Sequence, residues 1–214
     1  MKIAVVTEVS TSAKNHDVIQ ALNGLGHEVY NLGMKNISGE PELLIVETGF
    51  LSALLLNLKC VDFVVGGCGT GQGYFNCAVQ YPGVICGLVQ EPVDAWLFPQ
   101  INGGNCVSLA LNKGYGWAGD VNLKFIFEKL FSVESGAGYP DHRKIPQQII
   151  RRRLDEISQA VHLPFEKIVE VIDGETFGNV LRFPGVWEFI TSMADSNSKL
   201  MHALEKRYLS CLSE

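Results

Sequence analysis

The sequence lacks any block of positive charge. Its 214 residues hold 17 Lys+Arg against 23 Asp+Glu, a net charge of -6. Arg151-Arg152-Arg153 is the one basic run, and it falls in a helical pattern where a solvated face accounts for it. No nucleic-acid partner is expected. No apolar stretch is long enough to cross a bilayer, so no membrane partner is expected either. Met1–Val6 is followed by no cleavage pattern and reads as a strand, not a leader. The six cysteines (60, 68, 77, 86, 106, 211) form no C-x-x-C pair and match no zinc spacing. Free thiols in a reducing cytoplasm are the expectation, with no metal. Internal repeats and low-complexity segments are absent.

What is present centres on Val61-Asp-Phe-Val-Val-Gly-Gly-Cys-Gly-Thr-Gly-Gln-Gly73. It opens as a valine-rich run, the mark of a strand buried on both faces. Glycines then alternate with Cys68, Thr70 and Gln72, and a helix is expected from there into Ala78. Glycines let backbone N–H groups approach an anion, and the helix adds its positive dipole end. A cysteine in that field should ionise more readily than a free thiol. The turn thus suits proton abstraction beside a carbonyl, with the enolate oxygen held by N–H groups. A phosphate loop would need Lys-Ser/Thr where Gln72-Gly73 stands. A dinucleotide fingerprint would need G-x-G-x-x-G after the first strand, not alternating glycines after the third.

The remaining pattern predicts an α/β fold: a Rossmann-like, doubly wound parallel sheet of about five strands. Expected strands are 3–6, 28–32, the central run, 83–89 and 106–109. Helices are expected at 13–25, 41–57, from 92 until Pro99 limits it, and at 117–131 with Val121, Phe125 and Leu130 inward. A polar loop is expected up to Glu40. Ligands of such sheets bind at the C-terminal strand ends, where Glu8, the Cys68 loop, Glu91 and Asn102 are expected to gather. Residues 1–143 read as the α/β domain. Residues 144–214 read as a helical extension packed on that domain or on a partner subunit, with Ile150, Leu154, Ile157 and Val161 on one stripe and broken at Gly174, Gly178 and Pro184.

From Met1 to about Arg143 the sequence resembles the ribose-5-phosphate isomerase B / galactose-6-phosphate isomerase family. The resemblance is carried by Cys68-Gly-Thr-Gly-Gln-Gly73, by Gln90-Glu91-Pro92 after its strand, and by Asn102-Gly-Gly-Asn105. It implies metal-free, cofactor-free aldose–ketose isomerisation of a pentose or hexose through a cis-enediol, with a phosphorylated sugar as the expected small-molecule partner. It further implies a homodimer with sites formed between subunits. Carried over, Cys68 is the base and Thr70 its catalytic neighbour. Gly69, Gly71 and Gly73 supply the loop, while Glu8, Asn102 and Arg143 bind substrate. Three departures stand out: the strand-one histidine is Val9, the ring-opening histidine is Ile101, and the second phosphate-binding arginine falls near Gln147. His16 and His142 are candidates to replace a lost proton donor, and Arg182 a lost phosphate contact, though surface roles account for all three. The departures keep open a second reading, a sugar- or metabolite-binding paralogue without catalysis.

Overall fold

The computed structural model describes residues 1–35 and 41–211. Five strands, β1 (Lys2–Thr7), β2 (Glu28–Asn31), β3 (Phe63–Cys68), β4 (Cys86–Val89) and β5 (Cys106–Ala110), pair in parallel in the order β2-β1-β3-β5-β4. After β1 the chain steps outward to β2, then returns to the other side of β1 for β3. Open α/β sheets form their ligand crevice at such a switch point, beyond the C-terminal strand ends. Here those ends are Thr7 and Cys68, and Gly67 is registered against Thr7.

Side-chain alternation divides the sheet into two faces. Ile3, Val5, Val65, Val107 and Leu109 pack with α1 (Asn15–Leu22), α4 (Pro92–Asn102) and α5 (Gly119–Leu130). Ala4, Val6, Val64, Cys68 and Cys106 join a second core with α2 (Ile45–Asn57) and α3 (Gln72–Ala78). Both faces are covered, which is why the central strands read as apolar runs and not as alternation.

The chain beyond β5 and α5 forms α6 (Lys144–Val161), α7 (Phe165–Val171), α8 (Gly174–Leu181), α9 (Val186–Met193) and α10 (Lys199–Cys211). Of the last four, α7 and α8 pack on α2, while α10 packs on α7 and α8, and α9 on α8. Phe165, Phe177, Leu181, Leu200 and Leu204 share the core of Phe50, Leu51 and Leu54. The Phe50 ring centroid is 6.1 Å from that of Phe165 and 6.5 Å from that of Phe177. Each such side chain removed from water contributes about 1.5–3 kcal/mol before entropy is counted. This second cover explains why α2 is apolar on most sides. In contrast, α6 buries none of its residues within the chain.

The structure corrects several expectations. The first helix begins only at Asn15, because Val9–Lys14 winds as a 3-10 turn capped by Glu8. Pro99 does not stop α4, which runs three residues further. The proline is buried, and the helix ends where Gly103 takes a positive φ of 61°. On α5 the inward face is Leu123, Ile126, Phe127 and Leu130, whereas Val121 and Phe125 face solvent. The stripe on α6 is exposed. The polar loop expected up to Glu40 lies, over residues 36–40, outside the described residues.

Candidate active site

β3 ends at Cys68, and the chain turns at once. The Gly71 N–H donates to the Cys68 carbonyl at 3.2 Å, closing the turn Cys68-Gly69-Thr70-Gly71. Gly71 has φ 77°, the left-handed region that favours glycine, and a Cβ there would stand 2.6 Å from Leu88 Cδ1. Ser108 Oγ on β5 donates to the Gly71 carbonyl. The Gly69 carbonyl accepts from Asn112 N at 3.1 Å and Lys113 N at 2.8 Å. The turn's carbonyls are therefore tied back into the β5 side of the protein. α3 begins directly behind, at Gln72.

The Cys68 side chain lies on the α2–α3 face and is 7% exposed. Its Sγ is 4.0 Å from Thr70 Oγ1, which in turn accepts from Gln72 N at 3.3 Å. A Cβ on Gly73 would stand 3.6 Å from the sulfur and 3.0 Å from Ile45 Cδ1. Glycine at 73 therefore keeps open the space beside the sulfur. Cys77, one turn along α3, has its thiol pushed up by burial first and then by its neighbours Cys68 and Glu47. It remains a neutral thiol beside the candidate base.

At the end of β1, Glu8 is 3% exposed, with its carboxylate turned inward. Oε2 accepts from Ser10 N at 2.8 Å, and Oε1 accepts from Ser10 Oγ and from Thr11 Oγ1 at 3.2 Å. The carboxylate thus caps its own loop and holds the hydroxyl of the exposed Ser10. Thr7, Asn15 and Asn31 fix this corner: Asn15 Nδ2 donates to Thr7 Oγ1 at 2.8 Å and to Asn31 Oδ1 at 2.9 Å. The loop is a preformed wall, not a free arm.

One chain brings together Glu8, Cys68, Gly69, Thr70, Gly71 and Gly73, but not Asn102 or Arg143. Asn102 was expected among the C-terminal strand ends; it closes α4 at the other edge. A residue that precedes a parallel strand sits at that strand's start. Cys68 pairs with Ala110 and Val64 with Cys106, so about 13 Å of strand separates the two ends. Asn102 lines a cleft of about 460 Å³ with Ile85, Cys86, Ile101, Arg151 and Leu154. Arg151 donates to the Ile101 carbonyl at 3.0 Å and to the Gly136 carbonyl at 2.5 Å, anchoring α6 to the end of α4. Arg143 is exposed, just ahead of α6. His16, His142 and Arg182 are exposed as well. Glu91 caps α4, with its N–H bonded to Asp94 Oδ2 at 3.3 Å.

Two residues at the ligand edge were not foreseen. Ser10 and Asn112 flank Gly69: a Cβ there would stand 3.7 Å from Ser10 Oγ and 3.3 Å from Asn112 Nδ2. Both follow directly on the ends of strands, β1 and β5, and that position is the signal that marks them. Among the described residues, no three His, Cys, Asp or Glu side chains group closely enough to hold a metal ion.

With the geometry in place, comparison with known proteins is specific. The Ribose/Galactose Isomerase family model matches residues 3–134. No curated protein sequence matches. Among solved structures, a 4-deoxy-L-threo-5-hexosulose-uronate ketol-isomerase complexed with a tartrate is 36% identical, with TM-score 0.93 and 100% coverage of both chains. A ribose-5-phosphate isomerase from Vibrio parahaemolyticus is 40% identical, with TM-score 0.90 and 98% coverage of both. A ribose 5-phosphate isomerase from Thermotoga maritima is 22% identical, with TM-score 0.59, and covers 72% of this chain and 97% of its own; it shares the fold. The first two similarities extend through the C-terminal helices.

Proposed function

The chain belongs to the ribose/galactose isomerase family and is a sugar isomerase, and we propose that it interconverts an aldose and a ketose with Cys68 as the base. One observation carries this reading: a cysteine ends the central strand at the sheet's switch point, inside a tight glycine turn at the start of a helix. Cys68 Sγ takes the proton from the carbon beside the carbonyl. The enediolate oxygen then develops its charge against Thr70 Oγ1 and the N–H groups of Gly69 and Thr70. Returning the proton to the neighbouring carbon completes the exchange. The alternative of a paralogue that binds without catalysis gains nothing from the two full-length relatives, both named as isomerases.

We further propose a sugar acid of the uronate type over a sugar phosphate as substrate. Within one chain, the polar side chains at the Cys68 turn are neutral hydroxyls and amides, Ser10, Thr70, Ser108 and Asn112, beside the apolar Ile45 and Leu88. The one charged fork proposed for the site is Arg143 of a second copy, and a single bidentate pair satisfies a carboxylate. The ketol-isomerase relative, similar over the whole chain, acts on a uronate by name.

The active unit is proposed to be a homodimer in which Asn102 and Arg143 of one copy reach the Cys68 edge of the other. Asn102 lies too far from Cys68 in one chain, and α6 leaves Ile145, Ile149, Ile150, Leu154, Ile157 and Val161 exposed beside the Asn102 cleft. An apolar stripe of that length marks an interface. Six free cysteines fit a reducing compartment, and we place the protein in the cytoplasm.

The test is Cys68→Ala, assayed in D2O with 4-deoxy-L-threo-5-hexosulose-uronate and with ribose 5-phosphate. The variant should lose both turnover and deuterium entry at the reacting carbon, with its melting temperature little changed. Exchange at the wild-type rate in the variant would remove Cys68 from the reaction.

A further inference from the structure

We propose that Ser10, backed by Glu8, is a catalytic residue that carries the hydroxyl proton between the two substrate oxygens. The proposal rests on the isomerase reading above. An aldose–ketose exchange moves two protons, one on carbon and one on oxygen. Cys68 accounts for the first. The second needs a group that reaches the substrate and has somewhere to pass a proton.

Ser10 has both properties. Ser10 is exposed at the switch point, and its Oγ lies 3.7 Å from where a Cβ would stand on Gly69, the residue that follows Cys68 in the turn. Behind it, Oγ donates to Glu8 Oε1, and Glu8 is only 3% exposed. Ser10 is held from both sides: its N–H donates to Glu8 Oε2 at 2.8 Å, and its carbonyl accepts from Asn112 Nδ2 at 3.0 Å. Thr70, in the turn itself, has Gln72 N and Cys68 Sγ as its side-chain partners, at 3.3 and 4.0 Å. It can donate a hydrogen bond to an oxyanion, but it has no carboxylate to receive its proton.

The step balances. As Cys68 takes the C–H proton, the C–H electrons form the carbon–carbon double bond and the carbonyl electrons move onto its oxygen. The hydroxyl on the neighbouring carbon gives its proton to Ser10 Oγ, whose own proton passes to Glu8 Oε1. The relay then runs backward and delivers that proton to the former carbonyl oxygen. The oxygen that lost its proton becomes the new carbonyl, and the electrons of the carbon–carbon double bond take the proton back from Cys68 at the former carbonyl carbon, so Glu8, Ser10 and Cys68 end as they began.

The experiment compares wild type, Ser10→Ala, Ser10→Thr and Glu8→Gln in D2O on both 4-deoxy-L-threo-5-hexosulose-uronate and ribose 5-phosphate. NMR follows product formation and deuterium entry into recovered substrate. Ser10→Ala and Glu8→Gln should each slow conversion about 10²-fold, the range of one general acid–base group. Exchange into substrate should fall much less, because Cys68 still opens the C–H bond. Ser10→Thr, which keeps the hydroxyl, should recover most conversion. A role in holding the loop alone would slow exchange and conversion together, and that result overturns the proposal. So does a Ser10→Ala enzyme that converts within threefold of wild type, which would leave the isomerase reading standing. A wild-type enzyme with neither turnover nor exchange on either compound would overturn the isomerase reading, and this inference with it.

Discussion

The hydroxyl end of the Tyr74 ring packs against Gly66: a Cβ at 66 would stand 2.1 Å from the ring's Cζ and 2.3 Å from its hydroxyl oxygen. Glycine in the middle of β3 is therefore the seat of the first large side chain of α3, directly beneath the Cys68 turn. Tyr74 has no room to retreat. It is fully buried, with its hydroxyl 2.6 Å from Ser52 Oγ and 3.4 Å from Cys106 Sγ. Burial, and then the adjacent Cys106, holds its phenol well above the usual range, so it stays protonated. Gly66→Ala should destabilise the protein by about 3 kcal/mol through overpacking, a fall of about 6–12 °C in Tm for a chain of this size. Adding Tyr74→Leu should recover part of the loss, because the two positions share one contact. Calorimetry of the single and double variants decides it; strictly additive losses would show that the ring is not what glycine accommodates.

Cys60 gives the fold a pH dependence of known sign. Burial pushes its thiol up from 9.0 to about 11, opposed only by the nearby charge of Lys2. The unfolded thiol ionises first, so its contribution to stability is fully present below pH 9 and is lost as pH rises toward 11. Two pKa units correspond to about 2–3 kcal/mol. Urea unfolding of wild type and Cys60→Ala at pH 8.5 and pH 11 isolates this group from other titrations. The stability difference between the two proteins should shift by about 2 kcal/mol toward the variant at high pH; parallel behaviour would contradict it.

The sheet was legible because each central strand is apolar on both faces, and because the glycines of 66–73 announce a turn by composition. Less legible was whatever depends on phase or on which end of a strand a residue occupies. On α5, Val121 and Phe125 are as apolar as Leu123 and Phe127, and only the packing against the sheet selects the second pair. Asn102 was misplaced because nearness in sequence to β5 says nothing of its direction. The parallel pairing puts Asn102 at the far edge and puts Asn112, ten residues on, at the site. Pro99 read as a stop, yet a proline three residues from a helix end removes one bond and is still buried. Ser10 was passed over beside the more conspicuous Glu8, whose burial and internal bonding no pattern discloses.

Asn112 offers a clean separation of positioning from stability. Its Nδ2 donates to the Ser10 carbonyl at 3.0 Å and its N–H to the Gly69 carbonyl at 3.1 Å, so it ties the loop after β1 to the Cys68 turn. The residue is exposed, and its side-chain bond is worth at most about 1 kcal/mol. Asn112→Ala should therefore keep its Tm within about 4 °C while kcat falls about tenfold, since small misplacements of reacting groups are costly. Unchanged kcat would show that the bridge does not serve the site.

The proposed dimer makes a prediction that no single-chain site can imitate. If Asn102 of one copy serves Cys68 of the other, Cys68→Ala and Asn102→Ala enzymes are each inactive or severely impaired alone. A dimer of one chain of each carries one site with both lesions and one site with neither. Random reassembly of an equal mixture makes about half of all dimers mixed, each with one intact site of two, so activity should return to about a quarter of wild type. If both groups acted within one chain, every site would carry one lesion and mixing would restore nothing. The same mixture made with Leu154→Asp in both chains supplies the control. A charge placed on the apolar α6 stripe should give monomers in sedimentation and leave the mixture inactive, because burying it across an interface costs several kcal/mol. Restored activity in that control would mean that the copies meet through some face other than α6.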